Sequence, residues 1–169
     1  MALPRKLKNM NLFNDGLSYV GQVSEVTLPG LERKMEEWRA GGMNGPVKTD
    51  HGQEALSMEW TCGGFMDDAI RQYAITTHDA VLLRFAGAYQ RDDTGEVDAV
   101  EVEARGRHSK IDMGNAKPGE GSEFKVTSEL SYYKLTLNGE TLIEIDLINM
   151  VEMVNGEDRL ADQRRAIGL

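Results

Sequence analysis

The chain has one cysteine, four prolines, three histidines and only 7% aromatic residues, and nowhere does it approach the ~20 consecutive apolar residues of a membrane-spanning helix. Each shortage excludes something. A lone Cys62 cannot form a disulfide within the chain, and one thiol with scattered His51, His78 and His108 lacks the ligand spacing of a metal site. Assembly in a reducing cytoplasm fits this composition, and no metal or cofactor is expected. The start MALPRKLKNMNLF carries basic residues without an apolar run of roughly 7 to 15 residues, so it does not read as a signal peptide. Positive charge is scarce too: 19 Lys and Arg face 28 Asp and Glu, a formal net charge of −9. Such a field repels phosphates and disfavours specific nucleic-acid binding.

What is present describes a single domain, 1–169, of ordinary globular composition, with 40% hydrophobic residues and 18 glycines. The glycines suit a fold of short strands and many turns. Residues 17–28, LSYVGQVSEVTL, alternate loosely and read as a strand broken at Gly21. Residues 31–38 read as a charged strand. Residues 55–62 alternate cleanly, with Leu56, Met58, Trp60 and Cys62 on one face and Ala55, Ser57, Glu59 and Thr61 on the other. Between them, 40–54 is polar, Gly-rich and aperiodic, and is expected to be a long functional loop. Met66, Ile70, Tyr73 and Ala74 recur at helical spacing behind Asp67 and Asp68, which predicts a helix over 66–76. Residues 81–90 and 97–107 flank the polar turn 91–96. Residues 124–137 and 141–146 meet across Asn138-Gly139, the signature of a type I′ hairpin. Early acids, late arginines and Gly168 predict a short C-terminal helix within 156–169. The fold class is mainly β: an antiparallel sandwich or barrel with one flanking helix and that terminal helix.

The chemistry-bearing groups each have a plainer reading. Asp93-Thr94-Gly95 matches the aspartic-protease triplet, but that chemistry needs two loops sharing a proton, and one copy with polar flanks reads as a turn. Cys62 with His51 or His78 would need an orienting third group, whereas the phase of Cys62 with Leu56, Met58 and Trp60 marks it as core. Glu101 and Glu103 share a strand face, and a solvated acidic face is preferred to a catalytic pair. A small hydrolase therefore stays a distant alternative.

The segments NLFNDGLSYVGQVSEVTLPGLERKMEEWRAGGMNGPV (11–47), LRFAGAYQRDDTGEV (83–97), SYYKLTLNG (131–139), EIDLINMV (144–151) and DRLADQRRAIGL (158–169) resemble the tail tube proteins of contractile-tailed, P2-like phages. The resemblance covers nearly the whole chain, in order. It implies a β-sandwich or barrel subunit that forms six-membered rings stacked into a tube, with strands from all subunits closing one inner barrel. DNA would pass through without specific binding. The implied partners are further copies of the chain, the sheath, the baseplate hub or initiator, the tape measure and the tail terminator, and the implied location is the virion after assembly in the host cytoplasm. Related tubes of genome-free R-type bacteriocins are the alternative. On this reading 1–16 is an N-terminal arm, 40–54 an inter-ring loop and 156–169 a C-terminal arm. The expected lumen residues are Ser57, Glu59, Thr61, Glu101 and Glu103. The expected contacts between subunits or rings are Met43, Asn44, Val47, Leu160, Arg164 and Ile167.

Overall fold

A computed structural model describes all residues, 1–169. In chain order the elements are β1 (Lys6–Asn14), β2 (Leu17–Ser18), β3 (Val23–Thr27), β4 (Arg33–Trp38), β5 (Val47–Gln53), β6 (Leu56–Cys62), α1 (Asp67–Arg71), β7 (Val81–Gln90), β8 (Val97–Asp112), β9 (Phe124–Leu137), β10 (Glu140–Asp146), β11 (Val151–Val154), β12 (Glu157–Asp158) and α2 (Ala161–Ala166). Ten strands belong to one antiparallel sheet, and β4 with β5 form a separate two-stranded ribbon.

The long strands β8 and β9 organise the sheet. Along one stretch β9 lies between β8 and β10, and along the other between β8 and β6. The change occurs at two register shifts, where Ser131 is the extra residue on β9 and Ser109 the extra residue on β8. Bulges bend a strand and increase its twist. At the bend the two backbones come so close that a Cβ on Gly106 would stand 2.0 Å from the carbonyl oxygen of Glu129, so only glycine fits there. One half of the folded sheet runs β10-β9-β8-β7-β1, and the other runs β3-β6-β9-β8.

The core follows from strand alternation. Val81, Leu83 and Phe85 on β7, Val102 and Ala104 on β8, and Leu56, Met58, Trp60 and Cys62 on β6 are sealed into one cluster of 18 buried residues. Tyr19, in the turn after β2, lies 5.5 Å from the Trp60 ring and bridges the two halves. That turn also joins β1 to β3, because the Tyr19 amide donates to the Leu12 carbonyl and the Tyr19 carbonyl accepts from Val23. The Asn138-Gly139 hairpin forms as expected, with φ of 49° and 84°.

Three segments depart from the sequence expectations. The supposed loop 40–54 is half strand: Val47–Gln53 pairs with Arg33–Trp38, and the unpaired part is the tip, 39–46. VKTDHGQ has no apolar alternation of its own, so its partner strand shapes it. The supposed N-terminal arm 1–16 is mostly β1, which pairs with β7 along its length and buries Leu12 and Asn14. The helix expected over 66–76 ends at Arg71. Beyond it, the Gln72 amide is held by Asn14, Asp15 and His108, and Ala74 adopts φ 59°, which no right-handed helix permits.

Candidate assembly surfaces

Residues directly opposite each other in an antiparallel sheet point to the same side, and the register places Phe13, Arg84, Glu103, Lys134 and Glu144 in one row across β1, β7, β8, β9 and β10. The guanidinium carbon of Arg84 sits 4.0 Å from the Phe13 ring centroid. Arg84 also reaches Glu101 at 3.0 Å, and Lys134 reaches Glu103 at 3.8 Å. The Tyr132 hydroxyl, beside this row, donates to Glu144 at 2.8 Å, and burial together with that carboxylate raises the phenol's pKa. The expected acidic face is therefore a row of alternating sign. Opposite charges facing each other across strands add ~0.2 to 1 kcal/mol per pair, enough to order the face but not to hold the fold.

Ser57 and Glu59 project from β6, on the other half of the folded sheet. Glu59 lies 3.6 Å from Lys125. The bend at Gly106 thus separates them from Glu101 and Glu103. Thr61 does not belong to an exposed set at all: it is only 4% exposed, beside the edge strand β3. Alternation along β6 predicts which side Thr61 takes, but not that this side would be covered.

The ribbon makes a second surface. Its cross-strand pair Trp38 and Val47 leaves both side chains exposed. At the tip, Asn44 is exposed, and Met43 folds back so that its sulfur lies 3.2 Å from the Ala40 amide nitrogen. Sequence reasoning named Met43, Asn44 and Val47 but missed Trp38, whose signal was an aromatic residue ending a mostly charged strand. The ribbon's base is clamped to the body by Arg33, which pairs with Asp50 at 2.8 Å and with Glu152 on β11. Those hydrogen bonds hold the Asp50 carboxyl below the usual range and the Arg33 guanidinium above its usual value.

At the C-terminal end, the expected stripe Leu160, Arg164 and Ile167 is split. Arg164 donates to the Met150 carbonyl at 2.7 Å and pairs with Asp158, so it faces its own chain. Leu160 lines a cavity of about 580 Å³ with Arg33, Asp50, Ile145, Met150 and Glu152. Ile167 remains 64% exposed, and α2 buries no residue.

The imagined catalytic groups do not meet. Cys62 is fully buried, which pushes its thiol up to about 11. His51 contacts Thr49 on the ribbon, and His78 contacts Ser131. Asp93 sits in the β7–β8 turn, paired with Arg91 and accepting from the Leu3 amide. His108, missed as a structural residue, bridges Ser128 and Gln72, and burial lowers its pKa to about 4.

Comparison with known proteins accounts for this lack of a reaction centre. The family model described as "Phage tail tube protein FII" matches residues 4–168. The tail tube protein of Escherichia phage P2 is 56% identical over 172 residues, covering all of both chains. The major tail tube protein of Serratia phage KSP20 is 36% identical, over 96% of this chain and 95% of its own. Among solved structures, a chain of the sheath–tube complex of an extracellular contractile injection system in its extended state shares the fold. Its TM-score is 0.60 at 10% identity, covering 79% of this chain and 91% of that one. The cap of the anti-feeding prophage gives 0.61 at 12% identity, over 80% and 93%. With a match from residue 4 to residue 168 and these relatives in two phages, the chain belongs to the phage tail tube protein FII family and is a structural protein of the contractile tail, not an enzyme.

Proposed function

We propose that six copies of the chain close into a ring and that the rings stack into the inner tube of a contractile tail, through which DNA passes without being bound. The observation that carries this reading is the row Arg84, Glu103, Lys134 and Glu144 on the long half-sheet. A wall of alternating sign offers each phosphate as much repulsion as attraction. It therefore lacks the net neutralisation of phosphates that drives protein–DNA affinity. Within this reading, the face carrying Glu101 and Glu103 lines the lumen. Ser57 and Glu59 do not, because they lie beyond the bend on the other half-sheet.

The ribbon, with Met43, Asn44 and Val47, is the inter-ring element. A two-stranded ribbon is marginal alone in water, so it orders fully by borrowing contacts from a neighbour. Ile167 is the exposed contact of the C-terminal arm, while Leu160 and Arg164 hold that arm in place. Around the tube stands the sheath. The baseplate hub starts the stack, the tape measure sets its length and the terminator closes it, during assembly in the host cytoplasm.

Microscopy of the purified chain tests the proposal. Rings or filaments with a central hole, with Glu103 lining the hole at high resolution, are the expected result. A chain that remains monomeric at high concentration would overturn the assembly. Tubes that bury Glu103 between subunits would overturn the choice of lumen face. Tubes made with Glu101→Lys and Glu103→Lys should retain DNA in a salt-dependent way, whereas native tubes should not.

A further inference from the structure

We infer that the Trp38 side chain of one copy seats in a groove of a neighbouring copy, between α1 and the open edge of β8. This rests on the reading that copies of the chain stack. Trp38 lies on a ribbon that is packed against the body only at its base, and it is 60% exposed. Tryptophan is the residue type most enriched among dominant contacts of protein interfaces, and here Val47 beside it widens the apolar patch.

The body offers a matching socket. β7 stops pairing with β8 at Gly106, so β8 has no strand on that side from Arg107 onward. Beside this open edge lies a groove of about 290 Å³, lined by Ile70, Tyr73, Ser109, Lys110, Ile111 and Met113. That is at the bottom of the range for small-ligand sites, a size suited to one large side chain. Its apolar lips stand exposed, Tyr73 at 61% and Met113 at 57%, so the groove's own chain leaves it open. Charge is compatible: Glu36, already 3.8 Å from Lys34 and 3.6 Å from His51, shares the Trp38 side of the ribbon, and the exposed Lys110 on the groove's rim can take its carboxylate as a further partner.

An unpaired strand edge beside an apolar pocket is the arrangement by which one chain adds an extended strand to another and anchors it by a side chain. Socket and plug are different surfaces of the same chain. Such a contact repeats head to tail and builds a ring or a filament, not a closed dimer.

The chain's two tryptophans make the test direct, because Trp60 is fully buried and only Trp38 answers a collisional quencher. In the free chain Trp38 should be quenched. In assembled tubes its quenching should fall several-fold and its emission shift to the blue. Met113→Glu should fold normally by circular dichroism, and should raise the concentration needed for assembly on the order of tenfold. Mixing a Trp38→Cys preparation with a Met113→Cys preparation should yield a cross-linked dimer that neither gives alone, with buried Cys62 remaining inert.

Trp38 equally quenched in tubes and in free chains would overturn the inference while leaving the tube intact. Protection of Trp38 in Met113→Glu tubes formed at the native threshold would assign Trp38 to another surface and overturn the groove. If the unaltered chain forms neither rings nor tubes, the tube reading itself fails and this inference falls with it.

Discussion

The folded sheet and the ribbon use the same antiparallel pairing and end with opposite burial. On β6 the alternate residues Leu56, Met58, Trp60 and Cys62 are sealed, and their strand is flanked by β3 and β9. On β4 only Arg33 is even half-buried, and β5 is its sole neighbour. Pairing supplies hydrogen bonds in both places, and only the sheet adds apolar burial, the dominant favourable term in folding. The apolar burial that holds the fold thus lies in the sheet, whereas the ribbon leaves Trp38 and Val47 exposed.

The sharpest way to break this comparison is to damage each region and measure both folding and assembly. Trp60→Ala removes the largest fully buried side chain and should cost about 3 to 5 kcal/mol. Thermal or urea unfolding will show it, and Trp38→Ala should leave the same unfolding curve within about 0.5 kcal/mol.

Acid should act on the body next. Burial holds His108 neutral in the fold, with its pKa near 4 against 6.5 for the free side chain. Between those values the unfolded chain binds a proton that the folded chain refuses, so stability falls as pH drops from about 6.5 to 4. Below that, both states are protonated and the loss is complete, about 3 kcal/mol from this residue. His108→Gln should flatten that part of the pH profile, and unchanged steepness would remove the assignment.

At the junction, Arg33→Met removes the clamp between ribbon and body. It should destabilise the body by about 1 kcal/mol or less, since Arg33 and its partner Asp50 are both part-exposed. Proteolysis within 39–46 should nevertheless accelerate, because the ribbon loses its fixed base. The smallest effect on folding should come from deleting 157–169. α2 buries no residue, so circular dichroism and melting should be nearly unchanged while tubes become shorter or fail. Normal tubes would refute an assembly role for this end, and an unfolded product would place it in the core.

Much of the body was legible in the chain because its signals are local. Strand alternation with period two marks the sealed face of β6, and Asn138-Gly139 supplies the two positive φ angles of its hairpin. Cys62 falls in phase with three apolar neighbours and is indeed core. The assembly surfaces were less legible. Glu101 and Glu103 read as an acidic pair because their neutralising partners Arg84 and Lys134 lie on other strands, 17 and 31 residues away. The strand Val47–Gln53 read as loop because its regularity comes from pairing, not from its own apolar period.

The residues by themselves determined the antiparallel β class, the hairpin turns, the composition of the core and, through resemblance along the whole chain, the family. Those properties depend on interactions within a few residues or on the sequence taken whole. Only the tertiary structure decided which half-sheet carries Glu103, that Thr61 is covered, that Leu160 and Arg164 face inward, that Trp38 stands free and that a groove beside β8 is left open. Each of these depends on which distant backbone lies alongside. For Glu103 that is set by the bend at Gly106, where the approach of Glu129 leaves no room for a side chain and divides one sheet into two halves; for Leu160, Arg164 and the ribbon it is set by β11 and β12.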